Sequence, residues 1–507
     1  MRAVTFGLAA FVAPATLAAR EAGPAKAVSV PADGVAPGPR AGEGTRGDAS
    51  RAPGEASRAL SIDRVEISGR EQVSIRQIEL ALRREGIVEG AEILWPEDPR
   101  VERARDRLRA TGYFKRVTLG VEPVEGTSDR VILVVELEER SSVSVEALYL
   151  GSSAMTPFRG GFSVAERNFL GRGVHVGGSL IWGTLPRIER ARRQQAYKVF
   201  AEAPRLGRAP LGVLGSAYII SASEPYRVAG AESDPNPDLF RAFDYSRVGG
   251  LLGLTFPLTP SLSLGVDYRF ERIESLLPRD PAWVRPDGTI TPVDLGVLGG
   301  VHRLTAAHFG VVWDGRDEAF LAGRGGRFVL DLQLSSPAIG SQYEYIKLVA
   351  GGAYSFRLPW RHWLTPSLSG GQIAGSAPVF EQFYSGDLSD WTPGREQSLR
   401  YSTRNPIDVF GTGIDARTFG VIFGRVDLEY VWPLFRRTRT RRVYGGDLFF
   451  SAGIFSLAED RETRQMRRAA GQRVAPVGFN ANFGLRLDTS LGTFNISVGN
   501  ILERTPL

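Results

Sequence analysis

From about residue 143 onwards, the sequence is a succession of stretches of roughly ten residues in which apolar and polar residues alternate. In SLSLGVDYRF, every second residue from Leu262 to Phe270 is apolar or aromatic, and the residues between them are polar or glycine. A period of two indicates β-strands, and about ten residues is the length that a tilted strand needs to cross a bilayer. The pattern predicts an antiparallel membrane β-barrel with apolar side chains outside and polar side chains inside.

The connections between the predicted strands favour a barrel over a water-soluble β-sandwich, whose strands would also alternate. The connections at Thr259–Ser261 and Pro359–His362 are short, whereas those at 274–302 and 375–418 are long. Short turns at one end and long loops at the other are typical of outer-membrane barrels. Fifteen strands can be recognised. Because single-chain bacterial barrels have even strand numbers, we expect about sixteen strands over residues 141–507.

The first nineteen residues, MRAVTFGLAAFVAPATLAA, combine an early arginine, an apolar run and small residues. This pattern is typical of a secretory signal peptide over residues 1–19, cleaved after Ala18 or Ala19. A short membrane helix is the alternative, against which Pro14 and the length of the run argue. Residues 20–58 are rich in Ala, Gly, Pro and Arg and are predicted to be a disordered linker.

Residues 59–140 have a different pattern, which predicts a small α+β domain. SIDRVEISG alternates as a strand does, and two stretches with helical spacing follow it. Ser74 and Gly86 are expected to bound the first helix, and Asp98 and Gly112 the second. YFKRVTLGVEPV and DRVILVVELEER then complete a predicted order of strand, helix, helix, strand, strand.

Composition limits the possible partners. The chain has 62 basic and 56 acidic residues, a formal net charge of +6, and no cysteine. The lack of cysteine excludes disulfides, thiolate catalysis and cysteine-bound metals. The densest basic run, RRTRTRR at 436–442, is interpreted as a solvated turn. No basic arm with interleaved aromatics occurs, so we expect no nucleic-acid partner.

The sequence carries no enzyme signature: it lacks a G-x-S-x-G elbow, an H-E-x-x-H motif and a Walker loop. Of the four histidines, His302 and His308 are predicted to lie on different faces of a strand pair, which does not suit shared metal ligation. Asp314 and Asp317 flank Arg316, which favours an ion-pair network over acid–base carboxylates. We therefore predict no enzymatic activity, no metal and no other cofactor.

Several motifs over residues 59–507 resemble the BamA/TamA superfamily of outer-membrane proteins and occur in the family's order. ATGYFKRVTLGVEP resembles part of a periplasmic POTRA domain, and ERNFLGRG resembles an early strand and turn of the barrel. LEYVWPLF and GLRLDTSLGTFNISVG resemble later strands. The resemblance implies one POTRA domain in the periplasm, at 59–140, and a barrel of sixteen strands in the outer membrane of a Gram-negative bacterium.

Two of these motifs supply candidate site residues. WDGRDEAFLAGRGGRF resembles a periplasmic turn of the family, with Ala322 and Gly323 where the family has proline. PVFEQFYSGD resembles the run that leads into the long sixth surface loop. The residues that match the turn motif are Asp314, Arg316, Asp317 and Phe320. The residues that match the loop-leading motif are Phe380, Glu381, Phe383, Tyr384 and Gly386.

In the family, an arginine at the tip of the sixth loop folds into the lumen and pairs with an acidic residue on a later strand. Here the best match to the tip is Arg400–Tyr401, and Ser451 stands where the acidic residue is expected. Glu429 or Asp427 is predicted to pair with Arg400 instead, because a buried guanidinium needs a carboxylate. The alternative is that Arg400 is solvated at the surface.

The resemblance implies a factor that assembles or inserts other outer-membrane proteins. Unfolded client proteins, the lipid bilayer and accessory subunits, either periplasmic or lipoprotein, are the expected partners. A client strand would pair with an open sheet edge of the POTRA domain and with the seam between the first barrel strand, near 143–150, and the last, near 492–502. The alternative is a polypeptide translocator or passive pore of the same architecture.

Overall fold

The computed structural model describes the following residues: 24–25, 57–127, 129–151, 159–183, 192–193, 195–204, 209, 211–231, 236–259, 261–293, 295–317, 321–384, 419–436, 442–458 and 477–502. The predicted signal peptide at 1–19 lies outside these ranges. So does the predicted linker at 20–58, apart from residues 57–58 and a two-residue strand, β1 (Pro24–Ala25). In the described part of the chain, no helix is long and apolar enough to span a membrane.

An α+β domain forms the first large unit. Its elements are β2 (Arg58–Ser68), α1 (Ile75–Arg83), β3 (Glu92–Trp95), α2 (Pro99–Ala110), β4 (Phe114–Pro123) and β5 (Arg130–Glu139). The sheet order is β3-β2-β5-β4, with β2 parallel to β5 and the other pairs antiparallel. The two helices bury Ile78 and Leu108 against Leu133 and other apolar side chains of the sheet. The elements follow the predicted order with one addition, β3, whose four residues are too few to show a period.

Asp98 caps the second helix as its position in the sequence suggests. Its Oδ1 accepts from the backbone N of Arg100 at 2.8 Å, and its Oδ2 accepts from the backbone N of Leu94 at 3.0 Å. The carboxylate also pairs with the Arg100 guanidinium at 2.8 Å. The hydrogen bond from the Arg100 side chain, helped by the two backbone N–H groups, lowers the pKa of Asp98 from 3.8 to about 2.

We expect Asp98→Ala to destabilise this domain by about 1–2 kcal/mol, the usual loss for a helix cap. Because the folded-state pKa is depressed, the stabilisation by Asp98 is complete above pH 3.8 and is lost as the pH falls towards 2. Hydrogen exchange of α2 amides in the full-length protein measures both effects. Asp63→Ala is the control, since Asp63 caps no helix. Equal protection of α2 in wild type and Asp98→Ala would contradict the prediction.

A single large antiparallel sheet forms the second unit. Its strands and the small strands between them are β6 (Val143–Gly151), β7 (Arg159–Phe169), β8 (Val174–Gly183), β9 (Gln195–Ala203), β10 (Gly212–Arg227), β11 (Phe240–Pro257), β12 (Leu262–Leu276), β13 (Ala282–Val284), β14 (Ile290–Pro292), β15 (Gly300–Asp314), β16 (Gly325–Ser335), β17 (Glu344–Arg357), β18 (Trp363–Ser376), β19 (Phe383–Tyr384), β20 (Phe419–Gly420), β21 (Ile422–Arg436), β22 (Val443–Ala458), β23 (Val477–Thr489) and β24 (Gly492–Leu502). The pairs β13–β14 and β19–β20 are separate two-stranded sheets within long connections. The other fifteen strands make a nearly closed barrel, which confirms the predicted fold class.

The strand count differs from the sixteen that the resemblance implies. Fifteen antiparallel strands occur among the described residues, as many as can be recognised in the sequence, and the sixteenth member of the sheet is the two-residue β1, which pairs in parallel with β24. In an antiparallel barrel with an odd number of strands, the first and last strands run in the same direction. β6 and β24 therefore meet as parallel neighbours and cannot continue the antiparallel ladder.

Inside and outside follow the predicted alternation. On β12, Val266, Tyr268 and Phe270 are 41%, 45% and 47% exposed, whereas Asp267 and Arg269 are 4% and 6% exposed. The apolar side chains therefore face lipid and the charged ones face the barrel interior, the reverse of a soluble protein.

The two ends of the barrel differ as predicted. At one end the turns at 258–261 and 358–362 are short, and the α+β domain lies there because β5 leads directly into β6. At the other end the connections at 277–299 and 377–421 are long. We call these the turn end and the loop end.

The interior at the loop end is not an open aqueous space. Tyr245, Ile373, Phe380, Phe383 and Phe423 are all buried there in one apolar cluster. Phe380 and Phe383 belong to the described start of the connection between β18 and β21, residues 377–384, which lies inside the barrel. The alternation along the strands does not reveal this filling, because it comes from a loop segment.

Candidate functional site

The seam between β6 and β24 is the first candidate site. The backbone N of Val145 donates to the carbonyl O of Leu491 at 2.7 Å, just before β24 begins. Beyond that contact, no paired ladder joins β6 to β24 in the described ranges, whereas each pairs fully with its other neighbour. On its seam side, β24 pairs only with the two residues of β1, at Thr493 and Phe494. The seam thus offers backbone N–H and C=O groups that a further strand could pair with.

The turn end of the seam is tied by an ion pair. Arg140, between β5 and β6, donates from Nη1 to Oδ2 of Asp488 at 3.0 Å and from Nη2 to the carbonyl O of Thr489 at 3.0 Å. Its guanidinium also lies 4.7 Å from the centre of the Tyr444 ring. These contacts fasten the segment before β6 to the end of β23, next to the turn that leads into β24. The seam is therefore held at its turn end, and β6 and β24 form no ladder along the rest.

The sheet of the α+β domain has open edges as well. Its edge strand β4 is ten residues long and pairs only with β5 among the described residues. At the opposite edge, the short β3 pairs with β2 from Arg58 to Ser61, and Ile62 bonds to the backbone of Gly90 and Ala91, so β2 has no partner strand on that side from Asp63 onwards. Both edges expose main-chain groups suited to β-augmentation.

A buried cluster of charges inside the barrel is the second candidate site. Arg247 on β11 pairs with Glu271 on β12 at 2.8 Å and with Glu381 at 3.3 Å. Arg269 on β12 pairs with the other oxygen of Glu381 at 3.0 Å. All four side chains are buried. Each guanidinium thereby joins the barrel wall to the loop segment that carries Glu381.

Further contacts fix the same loop segment. Lys347 on β17 donates to the carbonyl O of Glu381 at 2.8 Å, and Gln333 on β16 donates to its carboxylate at 3.2 Å. The ring of Phe380 lies 4.2 Å beneath the Arg247 guanidinium, and Phe383 packs on Phe423 with ring centres 4.4 Å apart. Side chains from four wall strands therefore anchor the base of the long loop. We call Arg247, Arg269, Glu271, Gln333, Lys347 and Glu381 the lumen anchor.

The structure describes only some of the residues in the predicted pairing at the loop tip. Arg400, Tyr401 and Gly386 are outside the described residues, so pairing of Arg400 with an inward-facing carboxylate stays a prediction. Glu429 pairs with Arg486 at 3.0 Å, and Asp427 accepts from Arg425 at 2.9 Å. Ser451 is the direct cross-strand neighbour of Glu429. Tyr384 forms β19 with Phe383.

The wall residues of the lumen anchor were missed by the sequence reasoning. It singled out Phe380, Glu381 and Phe383 but proposed no partners for them. The signal was present in DYRFE, where Asp267, Arg269 and Glu271 all face inward. Three charged residues at alternate positions of one strand indicate an interior charge cluster, although not its partner.

The turn motif shows the expected ion pair. Asp314 Oδ2 lies 2.8 Å from Arg316 Nη2, and the backbone N of Asp317 donates to the carbonyl O of Arg324 at 3.0 Å. Phe320 is outside the described residues. Gly325 has a φ of 109°, and an added Cβ there would lie 2.2 Å from the carbonyl O of Gly315. A side chain at position 325 would therefore collide with the backbone of Gly315, and the turn requires glycine there.

The departure from the family's proline has a structural consequence. The backbone N of Ala322 donates to Oδ2 of the buried Asp447 on β22 at 3.1 Å, and the carbonyl O of Ala322 accepts from Arg436 Nη2 at 3.3 Å. Proline has no N–H and could not make the first bond. The turn between β15 and β16 thus reaches across the turn end of the barrel to β22.

The histidines hold no metal site in the described part of the chain, where no group of three or more candidate ligands occurs. The prediction that His302 and His308 lie on different faces is wrong, because six positions is an even step along a strand. Both side chains are buried inside the barrel. His302 bonds to the Tyr343 hydroxyl at 2.8 Å, and His308 lies between the carboxylates of Asp267 and Asp331.

Comparison with known protein families identifies the superfamily of the barrel. Residues 156–506 match the Omp85 superfamily domain, which covers more than half of the chain. The chain belongs to the Omp85 superfamily. This confirms the predicted relationship to the BamA/TamA group at the level of the superfamily. Omp85 barrels lie in the outer membrane of Gram-negative bacteria, where they insert or translocate proteins, and they are typically non-enzymatic. This protein is therefore an outer-membrane insertion or translocation factor.

Several solved structures are similar to the chain at low sequence identity. CdiB from Escherichia coli is 12% identical, with a TM-score of 0.53 over 88% of this chain and 73% of that one. BamA from Haemophilus ducreyi lacking POTRA domains 1–3 is 14% identical, with a TM-score of 0.48 over 89% of this chain and 82% of that one. CdiB from Acinetobacter baumannii is 11% identical, with a TM-score of 0.45 over 87% of this chain and 74% of that one.

Proposed function

We propose that this Omp85 protein assembles other outer-membrane proteins by pairing their strands with its own open edges. The observation that carries the proposal is the contrast between the seam and the interior. The seam lacks a continuous ladder between β6 and β24, while the lumen anchor and its aromatic neighbours fill the loop end of the barrel. The easiest place for a polypeptide to bind is therefore the wall of the barrel rather than its centre.

Client pairing at the seam follows from main-chain chemistry. An unsatisfied backbone N–H or C=O costs several kcal/mol in hydrocarbon, so an unfolded strand cannot enter the bilayer alone. Beyond the two residues that pair with β1, the edge of β24 offers hydrogen-bond partners for the N–H and C=O groups of every second residue of an incoming strand. A client strand can enter the membrane there while its hydrogen bonds form.

The α+β domain supplies the first contact in this proposal. We propose that it is a POTRA domain in the periplasm and that β4, its longer open edge, binds client strands by β-augmentation. Because the domain sits at the turn end and is tied to the seam through Arg140 and Asp488, a client held on its edge is close to the place of insertion. The accessory subunits expected from the resemblance remain predictions.

Reconstitution separates this function from its rival, a translocator or pore. Vesicles containing the purified full-length protein are filled with a dye and mixed with a urea-unfolded eight-stranded client barrel. We expect the client to fold several-fold faster than in empty vesicles, as measured by heat-modifiable migration on a gel, with the dye retained. Dye release, or uptake of the client into the vesicle lumen, without faster folding would contradict assembly and favour translocation through the barrel.

A further inference from the structure

Two arginines lie directly opposite each other on the lipid-facing surface of the barrel. Arg272 on β12 and Arg303 on β15 are cross-strand partners in the antiparallel register. Both side chains are exposed. Arg272 lies on the same outward face of β12 as Phe270, and Arg303 lies on the same outward face of β15 as Val301. The Cβ atoms of residues that are opposite in this way lie about 5 Å apart.

This arrangement is unfavourable without an anion. In the part of the chain that the structure describes, neither Arg272 nor Arg303 makes an ion pair through its side chain. Glu274, two positions further along β12, pairs with neither of them. Like charges directly opposite each other destabilise an antiparallel pair, whereas an anion bound between them reverses the sign of that interaction.

The height of the pair in the membrane indicates which anion is available. The outward side chains of β12 are apolar or aromatic from Leu262 at the turn end to Phe270, which spans about 20 Å along the membrane normal for a strand tilted by about 40°. Arg272 is the next outward residue towards the loop end. The arginines therefore lie just beyond the apolar band, at the level of the lipid headgroups of the outer leaflet.

A neighbouring aromatic residue supports this placement. The hydroxyl of the outward-facing Tyr268 donates to the carbonyl O of Ile339 in the β16–β17 connection at 2.9 Å. A tyrosine with an apolar ring in lipid and a bonded hydroxyl is typical of the interface of a membrane. The polar boundary of the bilayer thus begins at this part of β12.

We propose that Arg272 and Arg303 form a binding site for a phosphate group on an outer-leaflet lipid headgroup, of the kind that phosphorylated glycolipids carry. Two guanidinium groups can each donate a pair of hydrogen bonds to one phosphate, which matches the fixed geometry of arginine. The ring of Phe270, immediately below on the same face, lies where the acyl chains of that lipid begin. The site is independent of client handling at the seam.

Lipid binding to the full-length protein in neutral-detergent micelles tests the site. The probes are phosphorylated lipid A, lipid A stripped of its phosphates, and inorganic phosphate, with bound lipid counted by native mass spectrometry. Each arginine near a membrane surface contributes about 1 kcal/mol to the binding free energy of an anionic headgroup. Removing both charges with Arg272→Gln and Arg303→Gln is therefore expected to weaken binding of phosphorylated lipid A about 30-fold. Binding of the stripped lipid is expected to stay unchanged. Glu274→Gln is expected to strengthen binding of the phosphorylated form a few-fold.

The control removes the same charge elsewhere. Arg70→Gln with Arg76→Gln alters two exposed arginines of the α+β domain and should leave lipid A binding at the wild-type level. Equal binding of phosphorylated lipid A by wild type and the Arg272/Arg303 variant would overturn the proposal. If inorganic phosphate competes as strongly as the lipid, the site takes free anions and the lipid assignment is wrong.

Discussion

A disulfide across the seam is expected to abolish client assembly and to leave the barrel folded. Val145→Cys and Leu491→Cys place thiols on two residues that are neighbours across the seam, with their backbone N and O atoms 2.7 Å apart. The chain has no cysteine of its own, so no other disulfide can form. In the proposed mechanism clients arrive at the turn end, and a covalent bond there would prevent β6 and β24 from separating to admit a strand.

The measurement is client folding in the vesicle assay, before and after a reductant is added. We expect the oxidised variant to be inactive and the reduced variant to recover. The matched control is a disulfide inside a paired ladder: Ser355→Cys with Thr365→Cys joins β17 to β18 at a point where the two native hydroxyl oxygens are 2.8 Å apart. Full activity of the oxidised seam variant would show that the seam need not open.

Removing Arg247 is expected to release the lumen anchor. Arg247→Ala leaves Glu271 without its main partner and Glu381 with fewer cations, all in a buried site. Breaking a buried ion pair from one side costs about 3–5 kcal/mol, because a desolvated charge is left uncompensated. We expect a lower unfolding temperature of the unboiled barrel and faster protease cleavage between 385 and 418.

Two further variants separate charge from packing. Arg357→Ala removes an exposed arginine on β17 and should change neither stability nor cleavage. Arg247→Met with Glu271→Leu removes both charges of the main pair and should recover most of the lost stability, since apolar replacements of a buried pair are often neutral. A wild-type unfolding temperature and cleavage pattern in Arg247→Ala would mean that the anchor does not hold the loop.

The barrel wall was predictable because its signal is local. The alternation in SLSLGVDYRF fixes which side chains of β12 face lipid, and the lengths of the connections fix which end carries the loops. Helix α2 was equally accessible, since Asp98 and Gly112 mark its ends by local chemistry. β3 was not, because four residues such as EILW are too few to show a period.

The lumen anchor could be predicted only in part, because its contacts are not local. The motif around Glu381 was recognisable, and the inward charges of β12 follow from the alternation. Arg247 and Glu381 are 134 positions apart, however, and no spacing rule joins them. The filled loop end was missed for the same reason: the strand pattern describes the wall and carries no information on a loop that folds inside.

Trapping a client strand on the seam tests the central claim most directly. Single cysteines are placed in β6 and β24, and a client with one cysteine in its last strand is allowed to begin folding in vesicles that contain the full-length protein. The account predicts disulfide adducts at β6 and β24 and none at Leu330→Cys, a lipid-facing position on the fully paired β16. Adducts inside the barrel, for instance at Gln333→Cys on the lumen anchor, with none at the seam would contradict it.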